Sequence, residues 1–151
     1  MAETSYATYK VAQSLVPING NTTAEGTGVA VDTNGYADVL MVALCGISAD
    51  TLSGSVYWTV TFQECAVTTA GSFTTIAAAD LEGGLPTVLI DAPAEDPTQL
   101  VRRYKGKLRY VRILFTQTGT HTNGTPIAGL VLLSKHLHGP ITQETELGTP
   151  S

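Results

Sequence analysis

Six of the eight basic residues in this chain fall in one short stretch: Arg102, Arg103, Lys105, Lys107, Arg109 and Arg112. Cations at that density have three uses. They meet an acidic surface of a protein partner, they hold a phosphate backbone, or they keep a solvated hairpin from pairing edge to edge. Tyr104 and Tyr110 interleave with them, but other aromatics are too few for a single-strand groove. The formal net charge of the 151 residues is −5, with every acidic residue outside the stretch. That balance argues against direct nucleic-acid binding. A protein contact is the expected role, with Tyr6 and Tyr9 near the N-terminus as further candidate interface residues.

Other reactive side chains are sparse. His136 and His138 lie two apart, so on a strand they share a face, but no thiol or carboxylate follows at metal-ligand spacing. His121 sits in a turn with no evident partner. Asp80 with Glu82, and Glu95 with Asp96, are carboxylate pairs among loop residues, where solvation is the ordinary fate. A glycosidase drawing two carboxylates from distant strands would leave no better trace. There is no Gly-x-Ser-x-Gly elbow, phosphate-binding glycine loop or His-Glu-x-x-His pair. Cys45 and Cys65 match no zinc spacing and read as free thiols. The expectation is a protein that is not an enzyme and uses no cofactor or metal.

What must position these residues is a β-sandwich. Hydrophobic residues make up 43% and charged residues 14%, the balance of a chain that folds. About one residue in seven is threonine, which favours pleated surfaces. Short apolar runs alternate with turn signals such as Asn19-Gly20, Asn34-Gly35 and Asn123-Gly124. Strands are expected over 10–18, 28–32, 38–47, 55–65, 73–77, 87–91, 100–104, 109–118 and 127–137. Residues 76–81 have room for one helical turn. Val56, Trp58, Val60 and Phe62 alternate with Tyr57, Thr59, Thr61 and Gln63, and Val111, Ile113 and Phe115 repeat the pattern. The run 38–47 is so densely apolar that burial on both faces is expected.

The predicted fold is all-β: a two-sheet antiparallel sandwich of about eight or nine strands spanning 10–138. Residues 1–9 and 139–151 are expected to be extended arms. No stretch is apolar enough to span a bilayer, and the first residues carry no basic-then-apolar leader pattern.

The segments Ser55-Val56-Tyr57-Trp58-Thr59-Val60-Thr61-Phe62-Gln63-Glu64 and Tyr104-Lys105-Gly106-Lys107-Leu108-Arg109-Tyr110-Val111-Arg112 carry a resemblance. Thr118-Gly119-Thr120, Ile127 to Leu133, and Lys135-His136-Leu137-His138-Gly139-Pro140 extend it. Over roughly 38–140 the chain resembles the head decoration, or cement, proteins of tailed bacteriophages. Cys65-Ala66-Val67 departs from the polar turn expected after Gln-Glu. The resemblance implies jelly-roll topology and a place on the outer capsid surface of a virion assembled in the host cytoplasm. It also implies the major capsid protein as partner and a homo-oligomer, dimer or trimer. Two alternatives remain open: a carbohydrate-binding sandwich using Tyr57, Tyr104 and Tyr110, and a head-completion or tail component of the same virion.

Overall fold

Alternating β-branched and aromatic residues build the two central strands, and the rest of the fold follows their pairing. The computed structural model describes residues 8–69 and 71–137. Ten strands appear: β1 (Tyr9–Gly20), β2 (Val31–Asp32), β3 (Tyr36–Cys45), β4 (Tyr57–Cys65), β5 (Thr74–Thr75), β6 (Leu81–Glu82), β7 (Thr87–Ile90), β8 (Thr98–Tyr104), β9 (Tyr110–Thr118) and β10 (Thr125–His136). The helical turn expected at 76–81 is a 3₁₀ turn, Ala78–Asp80.

Two antiparallel sheets result. Sheet A has the order β1-β10-β3-β8-β6; sheet B runs β2-β9-β4, with β5 and β7 sharing the remaining edge of β4. The pairs are nested: β1 with β10, β2 with β9, β3 with β8, β4 with β7. A long hairpin wound around itself pairs its strands in this way, and the order is that of a double Greek-key jelly roll. The sandwich is thus all-β, as the alternation implies.

The core lies between the sheets. Trp58, Val60 and Phe62 of β4 and Val111, Ile113 and Phe115 of β9 have no measurable exposure. Val60 lies opposite Phe115, and Phe62 opposite Ile113. Trp58 meets Phe115 edge-on, with ring centroids 6.3 Å apart. Its indole N–H donates to Thr125 Oγ1 at 3.0 Å, and that hydroxyl donates to Ser48 Oγ at 2.9 Å. Sheet A contributes Val39, Met41, Ala43, Ile127, Val131 and Leu133.

Ser14 fastens β1 across the sandwich. It sits where a bulge breaks the β1–β10 register, so its backbone carbonyl is left to accept Val29 N–H at 2.6 Å. Its hydroxyl donates to Val29 O and accepts from Ile113 N–H of β9. Glycine is required here: a Cβ at Gly28 would lie 2.3 Å from Ile113 O and 2.6 Å from Ser14 Oγ.

Three expectations change. Asn19-Gly20 is not a tight turn; both residues are paired strand, opposite Pro126 and Thr125. Tyr9 opens β1 and does not belong to an arm. The run from 38 is buried on one face only: Val39, Met41, Ala43 and Cys45 point into the core, while Leu40, Val42 and Leu44 are partly exposed. Tyr6, His138 and the segment 139–151 lie outside the described residues.

Thr125→Val would leave the buried Trp58 N–H without its acceptor, at a cost of about 1–3 kcal/mol. Thr116→Val, on the partly exposed face of β9, should change stability by less than about 0.5 kcal/mol. Urea unfolding followed by Trp58 fluorescence measures both, and equal midpoints would show that the indole bond contributes nothing.

Candidate interaction surface

The basic stretch is divided by the fold. β8 belongs to sheet A and β9 to sheet B, so cations adjacent in sequence leave on opposite sides of the sandwich. Arg102 points inward and is buried. Its guanidinium donates to Leu85 O, Gly83 O and Val101 O, each at 2.9 Å. It also lies over the Phe62 ring at 5.5 Å, and burial holds its pKa below the ordinary arginine value. Arg102 is therefore a structural clasp for the 83–85 loop.

The exposed cations are mostly answered. Arg103 bonds Asp38 at 2.8 Å and Glu82 at 3.1 Å on the outside of sheet A, where Lys105 reaches Glu82 and Lys135 reaches Asp38. Arg109 makes a bidentate pair with Asp32 of β2, Nη2 lying 2.7 Å from Oδ2. Arg112, on the outside of sheet B, donates to Gln63 Oε1 and covers the Phe73 ring at 4.1 Å. Lys107 is exposed with no ion pair among the described residues. The six cations do not form one patch, and a phosphate backbone would have to displace carboxylates already in place. Tyr9 lies exposed at the start of edge strand β1.

The remaining reactive groups have local work. His121 is buried, 4.7 Å from the Trp58 ring, with Nε2 3.3 Å from the carbonyls of Tyr57 and Thr118. Sequence alone had left it without a partner. The His136 ring packs against that of Tyr36 at a tilt of 55°, with centroids 5.0 Å apart. Glu95 accepts the backbone N–H of Asp91 and Ala92, and Asp96 accepts that of Ser48. Burial pushes Asp50 up, but the backbone N–H groups of Asn123, Gly124 and Thr122 outweigh it and hold the carboxyl low. Among the described residues no group of three metal-ligating side chains converges. Cys45 and Cys65 are free and buried. The three tyrosines of the carbohydrate reading make no platform: Tyr104 is buried, its hydroxyl donating to Glu64 at 2.5 Å, and Tyr57 and Tyr110 are half-buried.

What the fold does present is the outer face of sheet A. Residues opposite one another in an antiparallel pair share a face, so the register reads out rows across four strands. One row is Val11, Leu132, Leu40 and Arg103; the next is Gln13, Leu130, Val42 and Val101; a third holds Ala128, Leu44 and Gln99. Val11 is 47% exposed and Val101 38%, and no described strand lies over them. At one end Leu44 and Ala128 continue into an open groove of about 690 Å³, also lined by Pro17, Ile18, Pro97 and Pro126. The signal was present in the sequence as runs apolar at both parities, but such runs also mark a strand covered on both faces.

No family model matches the chain, and neither the curated proteins nor the solved structures contain a match.

Two outcomes follow from the charges and thiols. Hydrogen bonds from Arg109 and Arg103 hold Asp32, Asp38 and Glu82 below their ordinary values. Their stabilisation is present above about pH 4 and is lost as acid protonates them. Asp38→Asn should lower the thermal midpoint by a few degrees at most near neutral pH and flatten its fall in acid. Parallel acid limbs for variant and parent would show that the pairs carry no stability. Burial, with the Asp96 charge nearby, pushes the Cys45 thiol up to about 12. A thiol reagent at mildly alkaline pH should modify neither cysteine in the folded chain and both in urea; rapid labelling of the native protein would contradict this burial.

Proposed function

We propose that this chain is a structural binding protein of a tailed-phage head, a cement subunit that joins neighbouring copies of the major capsid protein from outside. The observation that carries the reading is the apolar outer face of sheet A, over which no described strand lies. A contiguous apolar surface of this extent on a folded chain marks contact with another macromolecule. The sequence resemblance over 38–140 supplies the virion setting, and the jelly-roll connectivity agrees with what that resemblance implies.

A cement subunit stabilises a shell by many modest contacts acting together. Each copy need supply only a small interface, because sites fixed on one particle raise the effective concentration of the next contact. Arg103, Lys105 and Arg109 are paired with the chain's own carboxylates, which leaves less free positive charge for a phosphate backbone. The carbohydrate reading has less support, since its tyrosines are buried or half-buried.

Sedimentation with particles tests the proposal. The purified chain should pellet saturably with expanded heads assembled from the capsid protein of the same virion, and remain in the supernatant with unrelated icosahedral shells. Equal pelleting with both, or with neither, overturns it.

A further inference from the structure

We propose that the free edge of β7 takes up an extended segment of a foreign protein, which joins sheet B as one further antiparallel strand. The segment carries aliphatic side chains at alternate positions and a lysine or arginine beside them. This edge belongs to sheet B and is no part of the outer face of sheet A.

Register shows which backbone groups are spare. β4 pairs with β7 from Trp58 opposite Ile90 to Thr61 opposite Thr87. One step further, Phe62 N–H donates to Pro86 O at 2.9 Å. Hydrogen-bonded pairs recur at every second position of an antiparallel ladder, so Val60 bonds Val88 and Trp58 bonds Ile90. The N–H and C=O groups of Thr87 and Leu89 therefore point away from β4. Among the described residues nothing takes them up, and Leu89 is 47% exposed. Donors and acceptors at strand spacing are the complement of another extended backbone. Thr87 to Ile90 also lacks the charge, proline or bulge that blunts an open edge.

A cavity beside this edge selects side chains. It measures about 260 Å³ and is lined by Val88, Leu89, Ile90, Glu95, Pro97 and Leu100. No residue of β4 lines it, so it opens on the side of β7 away from that strand. In an antiparallel addition, residues opposite Thr87 and Leu89 bond β7 and face outward with them. The residues between turn inward beside Val88 and Ile90, where the cavity lies. A cavity of about 150 Å³ admits a benzene ring, so branched aliphatic side chains fit here.

Charge decides whose segment it is. From Gly83 to Val101 the chain holds Asp91, Glu95 and Asp96 and no basic residue. Glu95 Oε2 accepts the N–H groups of Asp91 and Ala92, and its Oε1 has no partner among the described residues. A cation on the incoming segment complements that end. The chain's own residues 1–7 and 138–151 hold Glu3, Glu144 and Glu146 and no lysine or arginine. They carry the wrong charge, in this copy or a second one, so the edge selects a foreign segment.

An acetylated and amidated peptide, Lys-Val-Thr-Val-Thr-Val-Thr-Lys, is the probe. In a nitrogen-15 NMR titration of the full chain it should bind saturably with Kd below about 1 mM and move the Thr87 and Leu89 amide signals most. N-methylation of its threonines removes the N–H groups that face β7 and should weaken binding at least about tenfold. N-methylation of its valines should leave binding within about twofold, since those N–H groups point away from β7. Glutamate in place of both lysines should weaken it at least about threefold. Leu89→Pro removes an outward N–H where an edge strand tolerates proline, and should abolish binding. Near-UV circular dichroism of Trp58, which lies opposite Ile90, reports whether that variant keeps β7 paired. If it does not fold, the two methylated peptides decide. No saturable binding up to about 1 mM, equal or reversed effects of the two methylations, equal binding of the glutamate peptide, or a folded Leu89→Pro that still binds overturns the proposal.

Discussion

Nine residues of β4 pair in unbroken register with nine of β9, from Tyr57 opposite Thr118 to Cys65 opposite Tyr110. On the inner side of that pairing stand Trp58, Val60, Phe62, Val111, Ile113 and Phe115, all with no measurable exposure. The large rings leave little freedom. A slip of one residue would turn Trp58 and Phe62 outward together. The indole N–H then fixes a third element, because its acceptor Thr125 begins β10, and β10 pairs with both β1 and β3. Sheet A is thus located on sheet B by this polar bond in the core as well as by packing. Ser14 makes the corresponding connection from β1 to β9 at another part of the sandwich.

The nested connectivity explains why neighbours in sequence part company in space. In a hairpin wound into two sheets, successive strands go to opposite layers: β8 to sheet A, β9 to sheet B. Arg103 and Arg112 are only nine positions apart, yet one bonds Asp38 outside sheet A and the other Gln63 outside sheet B. Side-chain parity divides the group again, because Arg102 points inward where Arg103 points outward. Each arginine therefore finds its own acceptor: carbonyls for Arg102, Asp38 and Glu82 for Arg103, Asp32 for Arg109 and Gln63 for Arg112. A charge cluster in the sequence becomes a set of separate fastenings.

The fold was legible where the sequence alternates. The inward sets of β4 and β9 can be read directly, because a strand with one wet face declares which residues face which way. Of the two-residue strands, β2 and β5 fall inside the expected runs 28–32 and 73–77, whereas β6 could not be read: Leu81 and Glu82 are strand only through Tyr104 and Arg103. Asn19-Gly20 carries a turn signature, yet pairing with β10 extends the strand through it. The partners of His121 and Arg102 come from residues three to 64 and one to 19 positions away respectively, beyond what local pattern conveys. For β3 and β10 the pattern was visible but ambiguous. Apolar residues at both parities describe a strand covered twice, and they equally describe one covered on a single face among the described residues.

Edge protection separates the outer face of sheet A from its open backbone. Open strand edges pair with any extended chain, without regard to side chains. Here each edge of sheet A is occupied at one stretch by the chain itself. β6 and the Lys105–Asp80 backbone bond cover the end of β8, and the Arg102 guanidinium ties Val101 O to the 83–85 loop beside it. On the other side Val29 donates to Ser14 O where the bulge frees it. The apolar rows of the outer face are therefore presented without a matching row of unpaired backbone groups over these stretches. A contact through that face would rest on the shapes of Leu40, Val42, Leu130 and their neighbours and not on the pairing of added strands.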